Sequence, residues 1–180
     1  MKTRKIATIS IFGGLIILLQ LISTYINFGS FPITLTLIPI IVAGAVYGPS
    51  IGLIMGLVFG ITVSIMVITG ADPSGAIMFS QKPVITVLTC IIKGGLAGLC
   101  GALAYKFIKN HKTGIIVSAA ITPIVNTLIL YISLVLFFNE SSVILVAGFM
   151  TINFAIELAI NVIIAPGLLN LINRVKNRNL

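Results

Sequence analysis

The four residues Tyr47-Gly48-Pro49-Ser50 separate two apolar runs, residues 33–47 and 50–69. Joined together, these runs would be too long for one membrane crossing, because about 20 helical residues span the hydrocarbon of a bilayer. A Gly-Pro step ends one helix and begins another, since proline lacks the N–H that a helix interior requires. The stretch therefore predicts two membrane helices joined by a tight turn.

Further apolar runs of similar length lie on both sides of this pair, at about 6–28, 83–105, 114–138 and 143–173. The chain is 58% hydrophobic and only 8% charged, whereas a soluble domain has about 25% charged residues. We therefore predict an all-α integral membrane protein with six transmembrane helices in one membrane domain, residues 1–180.

The positive charges predict an orientation. All of the 11 lysines and arginines except Lys82 and Lys93 lie in three hydrophilic segments, 1–5, 106–113 and 174–180. Such segments mark the cytoplasmic face of a protein that crosses the membrane several times. Six spans then place both termini in the cytoplasm of a multi-pass protein in the cell (plasma) membrane. No basic patch interleaved with aromatic residues is present, so nucleic acid is not an expected partner.

The sequence contains no pattern that indicates an enzyme. Its single histidine, His111, excludes the paired histidines of a zinc protease. A phosphate-binding Gly-Lys-Ser/Thr loop is absent, and three scattered acids cannot form a two-carboxylate site. We expect no catalytic residue, no metal site and no cofactor.

Polar residues within the predicted spans are the candidate binding groups. Lys93 lies inside the fourth span, and a charge there costs about 2.5–3.5 kcal/mol on insertion scales. Asn153, Glu157 and Asn161 follow one another at four-residue intervals, which places them on one face of the sixth span. Asn126 adds an amide from the fifth.

Two interpretations of these groups remain open. In the first, Lys93 pairs with Glu157 and the polar stripe only holds the bundle together. In the second, spans four to six line an outward-facing cavity for a small polar molecule. Asn126, Asn153 and Glu157 would then hydrogen-bond the molecule, and Lys93 or Lys82 would meet a carboxylate.

Several polar residues lie nearer the outer mouth of such a cavity: Gln81, Lys82, Thr86 and Tyr131. The preceding segment, residues 70–82, mixes turn-forming and apolar residues. It is either a lid that folds back onto the protein or a solvated loop.

Rows of small residues indicate close helix packing. Gly52, Gly56 and Gly60 recur every four residues on the third span, and the first span has a shorter row, Ser10 and Gly14. Such rows let helix backbones approach closely. Both rows begin near the predicted cytoplasmic end, so we interpret them as an interface for a partner subunit. A similar row on the fourth span is interpreted as packing within the chain.

The pattern Pro39-x-x-x-Ala43-Gly44-x-x-x-Gly48-Pro49-x-x-Gly52 resembles the second and third spans of the substrate-binding (S) components of energy-coupling factor (ECF) vitamin transporters. The motif covers about residues 32–60, and the topology of the whole chain agrees with that family. The resemblance implies that a vitamin binds near the outer face, between spans four to six and the outer loops. It also implies association with a membrane scaffold subunit and two cytoplasmic ATPase subunits through small residues on the first helices, where Ser10-x-x-x-Gly14 is the nearest match.

Within that family, the stretch from Asp72-Pro73 to Lys82-Pro83, followed by Lys93-Gly94, is most similar to pantothenate-type members. The resemblance therefore implies high-affinity capture of a small water-soluble vitamin at the outer face for ATP-driven uptake, with pantothenate the favoured ligand and folate, biotin and lipoate still open. Two other functions stay open on the residues alone. A self-contained secondary carrier or channel would move solute without an ATPase partner, and a structural assembly protein would bind no small ligand.

Overall fold

The computed structural model describes residues 2–25, 27–28, 31–32, 35–138, 148, 151, 154–168, 170 and 173. Within these residues the chain folds as helices, with one short β-hairpin between the first two. The elements are α1 Lys2–Tyr25, β1 Asn27–Phe28, β2 Phe31–Pro32, α2 Leu37–Tyr47, α3 Pro49–Ile68, α4 Pro73–Gln81, α5 Pro83–Phe107, α6 His111–Phe137 and α7 Phe154–Leu168. In the antiparallel hairpin, Asn27 pairs with Pro32 and Phe28 with Phe31.

The helices follow the predicted spans closely. α2, α3, α5 and α6 begin and end near the predicted bounds, α1 begins and ends a few residues before the first predicted span, and α7 lies within the last. Three helices, α3, α5 and α6, are long and apolar enough to cross a membrane, while the apolar parts of α1, α2 and α7 are shorter. The all-helical membrane class is therefore confirmed. The count of six spans and the cytoplasmic position of both termini stay predictions.

Gly48 forms the predicted turn between α2 and α3. Its φ of 93° and ψ of 178° suit glycine, because a side chain would be strained at this positive φ. Its N–H donates to the carbonyl oxygen of Gly44 at 2.9 Å, which ends α2. Pro49 then opens α3, where the missing N–H costs no hydrogen bond.

A seam of glycines joins α3 to α5. A Cβ added to Gly52 would lie 2.5 Å from the carbonyl oxygen of Gly98, and one added to Gly60 would lie 2.5 Å from that of Cys90. Between them, a Cβ on Gly56 would collide with the Gly94 carbonyl oxygen. Because the pairing partners descend along α5 as they ascend along α3, the two helices are antiparallel with their backbones in contact.

Helix α2 joins the same seam at one end. A Cβ on Gly44 would lie 2.7 Å from the Ala102 methyl carbon and 3.5 Å from the Gly52 Cα. Three helices therefore meet where each contributes a small residue. Around this point the largest apolar cluster is assembled, with Ile40, Met55 and Phe59 fully or almost fully buried.

This packing corrects one prediction about the small-residue rows. Gly52, Gly56 and Gly60 were expected to face a partner subunit, but the backbone of α5 already occupies their face. The row therefore packs helices within the chain. Gly14 of α1 differs, because a Cβ added there meets no atom within 4 Å. The interface predicted for Ser10 and Gly14 stays a prediction.

Residues 70–82, predicted as a loop, contain helix α4. Asp72 caps its N-terminus by accepting hydrogen bonds from the backbone N–H groups of Ser74 and Gly75, at 3.1 and 3.2 Å. Pro73 is the first helical residue. An Asp-Pro pair occurs at helix starts as well as in turns. The prediction of a loop for residues 70–82 took the turn-forming residues only as turn signals, and it is wrong for Pro73–Gln81. The segment does fold back, since α4 packs on α3 and α5.

The glycine seam makes a prediction about stability. Gly56→Ala should destabilise the protein by about 1–3 kcal/mol, because the added methyl group must push α3 away from the Gly94 carbonyl. The measurement is the thermal unfolding of purified protein in detergent.

Gly14→Ala is the matched control, since the same methyl group enters open space there. It should leave the melting temperature almost unchanged. An unchanged melting temperature for both variants would contradict the internal role of the seam.

Candidate binding site

Buried polar side chains gather along α5, α6 and α7. Their burial needs an explanation, because a polar group that finds no hydrogen-bond partner in lipid costs several kcal/mol of free energy. The described members, each less than a tenth exposed, are Thr86, Thr89 and Lys93 on α5, Ser118, Thr122, Asn126 and Ser133 on α6, and Glu157 and Asn161 on α7.

Helices α5 and α6 form a polar seam that is fixed at two points. At one, the hydroxyl groups of Thr89 and Ser133 share a hydrogen bond of 2.6 Å. At the other, Gly101 lies against the side chain of Thr122, so that an added Cβ would collide with the Thr122 Oγ1 atom. The contact nearer the start of α5 is the one nearer the end of α6, and the other contact has the opposite order. Helices α5 and α6 are therefore antiparallel neighbours.

Lys93 lies on the stretch of α5 between these two contacts. Thr89, Lys93 and Gly101 are separated by four and eight residues, so they share one helix face. Since both ends of that face contact α6, Lys93 also faces the α5–α6 seam. Its side chain is 8% exposed.

Asn126 occupies the corresponding stretch of α6. It follows Thr122 by one turn and precedes Ser133 by two turns, and all three side chains are buried. From the pairing of Thr89 with Ser133, Asn126 lies about one turn, or roughly 5 Å along the axis, from the level of Lys93. Within the described part of the chain, the Asn126 Oδ1 atom is buried and accepts no hydrogen bond.

The ion pair between Lys93 and Glu157, one of the two interpretations that the sequence leaves open, is not seen among the described residues. Both residues are described and buried, yet neither a salt bridge nor a hydrogen bond links them. Glu157 is engaged in another polar or electrostatic contact. Among the described residues, no carboxylate pairs with Lys93, and the Asn126 Oδ1 atom, about one turn away along the seam, accepts no hydrogen bond.

Helix α7 presents one face to the protein interior. Glu157, Asn161 and Ala165 recur at four-residue intervals and are all buried, as the predicted stripe requires. The Asn161 Nδ2 atom donates to the Glu157 carbonyl oxygen at 2.7 Å, whereas its Oδ1 atom has no partner among the described residues. The third predicted member, Asn153, lies outside the described residues.

Helix α4 closes one end of the seam. Its Met78 is buried in an apolar cluster with Leu134 and Phe138, and Ile85 and Leu130 pack against this cluster. Leu134 directly follows Ser133, so the apolar cluster lies next to the Thr89–Ser133 hydrogen bond. Helix α4, in the segment interpreted as either a lid or a solvated loop, thus packs at the end of α5 and α6 where that hydrogen bond is made.

The remaining predicted residues lie outside the seam. Gln81 and Lys82 are exposed at the corner between α4 and α5, and the Lys82 carbonyl oxygen accepts a hydrogen bond from Thr86 Oγ1. Tyr131 is 48% exposed and lies on the side of α6 that also carries exposed Leu128 and Val135. The structure does not bring Tyr131 together with Lys93, so the role of Tyr131 stays a prediction.

Ser118, Thr89 and Ser133 are site residues that sequence reasoning missed. Ser118 is fully buried on the same face as Thr122 and Asn126, and its Oγ atom has no partner among the described residues. The four-residue spacing of Ser118, Thr122 and Asn126 is a polar stripe of the same kind as that on the last helix. It could have been found by the same criterion.

In a comparison with protein families, residues 4–169 match the family described as "ECF transporter, substrate-specific component". The chain belongs to this family. No curated protein matches the sequence significantly. The family match confirms the resemblance seen around Gly48-Pro49.

Membership defines the general role of this S component. It is the substrate-binding subunit of a transporter in the plasma membrane, and its family is not one of enzymes. Its partners are a small-molecule substrate and an ECF module with scaffold and ATPase subunits. The apolar helices α3, α5 and α6 agree with a multi-pass membrane protein.

The hydrogen bond between Thr89 and Ser133 makes a second prediction. Thr89→Val and Ser133→Ala should each lower the stability, and a double-mutant cycle should give a coupling energy of about 0.6–1.7 kcal/mol, as for other hydrogen bonds between membrane helices. The measurement is thermal or denaturant unfolding in detergent. Strictly additive effects would show that the two hydroxyl groups do not interact.

Proposed function

We propose that this S component captures a small water-soluble vitamin at the outer face of the membrane, and that pantothenate is its ligand. The observation that carries the proposal is the Lys93 side chain, which is 8% exposed, faces the α5–α6 seam and has no carboxylate paired to it among the described residues. A cation in lipid is costly without a counter-charge. An anionic ligand would supply that charge when it binds.

The neighbouring groups fit the rest of such a ligand. Pantothenate offers one carboxylate, an amide and two hydroxyl groups. Its carboxylate would meet Lys93 in a charge-assisted hydrogen bond. One of its hydroxyl or amide N–H groups would donate to the Asn126 Oδ1 atom, which has no donor among the described residues. A largely apolar pocket with few polar groups is typical of small-molecule sites.

The outer residues and the last helix complete the proposed site. Glu157 and Asn153 would hydrogen-bond the ligand from the last span, and Gln81 and Lys82 would attract an anion at the α4–α5 corner. Helix α4 is the proposed lid. Its apolar contact through Met78, with Leu134 and Phe138, would have to open for a ligand to enter and would exclude water once closed.

The decisive experiment is a ligand screen by thermal shift, because a ligand that binds only the folded state raises the melting temperature. Pantothenate should protect the wild-type protein. Lys93→Met should weaken pantothenate binding well beyond tenfold, because the counter-charge for its carboxylate is lost. It should also leave the ligand-free protein as stable as the wild type or more so, because a charge with no carboxylate partner among the described residues is removed from the membrane.

A different pattern would contradict this role of Lys93. If Lys93→Met destabilised the ligand-free protein by about 3–5 kcal/mol, Lys93 would instead neutralise a buried carboxylate of the protein. Lys82→Met is the matched control, since Lys82 is exposed at the α4–α5 corner. It should change pantothenate binding much less. Uptake by proteoliposomes that lack any ATPase partner would favour a secondary carrier.

We propose that α1 docks the S component onto the membrane scaffold subunit through Ser10 and Gly14. Gly14 is exposed with open space beside it, and exposed Ile11 and Leu18 flank it on the helix. Gly14→Leu should therefore reduce co-purification with the ECF module at least tenfold while ligand binding is retained, because the bulky side chain prevents close approach.

Gly167→Leu is the control for docking, since Gly167 on α7 is also exposed and has open space around it. This variant should assemble normally. Normal assembly of both variants would contradict a docking role for α1. Reduced assembly of both variants would show that added bulk at either position disturbs assembly, and would also contradict a specific role for α1.

A further inference from the structure

The turn between α5 and α6 carries a concentrated positive charge. Lys106, Lys109 and Lys112 are all exposed within seven residues, and His111 is exposed among them. The two acids within the described residues are elsewhere: Asp72 caps α4, and Glu157 is buried on α7. No carboxylate of the turn itself offsets the lysine charges.

Phe107 is an apolar aromatic residue that lies between Lys106 and Lys109 in the sequence. It is 77% exposed. Counting along α5, it lies on the same side as Leu88, Ile92 and Leu96, which are also exposed and form the outer, apolar face of the helix. We expect that face to meet lipid tails in a membrane. Phe107 therefore continues the lipid-facing surface up to the level of the lysines.

The turn is held in one shape by its own contacts. The His111 ring stacks on buried Tyr105 with centroids 5.8 Å apart, and the Tyr105 hydroxyl group and His111 Nδ1 atom lie 3.3 Å apart. Asn110 caps α6 by accepting a hydrogen bond from the Lys112 N–H at 3.0 Å. The lysines are thus presented from a short, ordered connection between two helices.

We propose that this turn binds the headgroup of an anionic phospholipid. Lysines beside a membrane attract anionic lipids, and an aromatic ring at the same level enters the interface between headgroups and acyl chains. An acidic protein surface could also attract the lysines. A lipid fits better, because Phe107 is continuous with the lipid-facing surface of α5 and would be left in contact with lipid in any case.

The chain contains no tryptophan, which allows a direct test. The variant Phe107→Trp gives a single fluorophore at the turn, and the protein is reconstituted in phosphatidylcholine vesicles with a fixed fraction of phosphatidylglycerol. Either lipid is then supplied in brominated form, which quenches tryptophan on contact. Brominated phosphatidylglycerol should quench roughly twofold or more strongly than brominated phosphatidylcholine at equal mole fraction.

Four controls make the result specific to the turn. Phe137→Trp places the fluorophore at the other end of α6, where both brominated lipids should quench equally. Replacing Lys106, Lys109 and Lys112 by glutamine in the Phe107→Trp protein should abolish the preference, and replacing them by arginine should preserve it. Replacing Lys2, Arg4 and Lys5 by glutamine removes the same charge elsewhere and should also preserve it.

Three outcomes would overturn the proposal. One is equal quenching of the Phe107→Trp protein by both lipids. Another is complete loss of the preference on addition of free glycerol phosphate at millimolar concentration, which would mean that the turn binds a soluble phosphate. A glutamine variant that keeps the lipid preference but no longer assembles with the ECF module would assign the turn to a subunit contact instead, and would equally overturn it.

Discussion

The backbone contact between α3 and α5 is the constraint on which the rest of the structure depends. Gly52, Gly56 and Gly60 lie against the backbone of α5 so closely that a single methyl group at any of them would collide. In a membrane the hydrophobic effect does not drive helices together, so packing and hydrogen bonds must do so. Close approach of the two backbones provides that packing.

This contact also determines where the charged residue of α5 points. Gly94 lies against Gly56, and Lys93 is the adjacent residue in sequence, so one face of α5 is fixed against α3 while the next face carries Lys93 toward α6. The hydrogen bond of Thr89 with Ser133 and the contact of Gly101 with Thr122 hold that second face in place. Helix α5 therefore acts as the central element, with a seam of glycines on one side and a seam of polar groups on the other.

Much of the fold could be predicted from the sequence, because its strongest signals are local. Apolar runs of spanning length predicted α2, α3, α5 and α6 closely, and the Gly48-Pro49 step predicted the turn between α2 and α3. Helix α4 was missed, because Asp72-Pro73 begins a helix as readily as a turn, and only packing on α3 and α5 distinguishes the two. The polar stripe of Glu157 and Asn161 was predicted to face inward and is buried.

What the sequence determined by itself is the kind of protein and the inward position of the charged and amide side chains Lys93, Asn126, Glu157 and Asn161, since hydropathy, helical periodicity and turn chemistry act over a few residues. The pairing of those groups was decided by the tertiary structure alone. Spacing permitted Lys93 to reach Glu157, and it permitted the α3 glycines to face a partner. The structure instead places Lys93 in the α5–α6 seam and fills the α3 glycine face with α5. Such choices depend on which helices are neighbours and at what level they meet, and no local pattern in the chain encodes that.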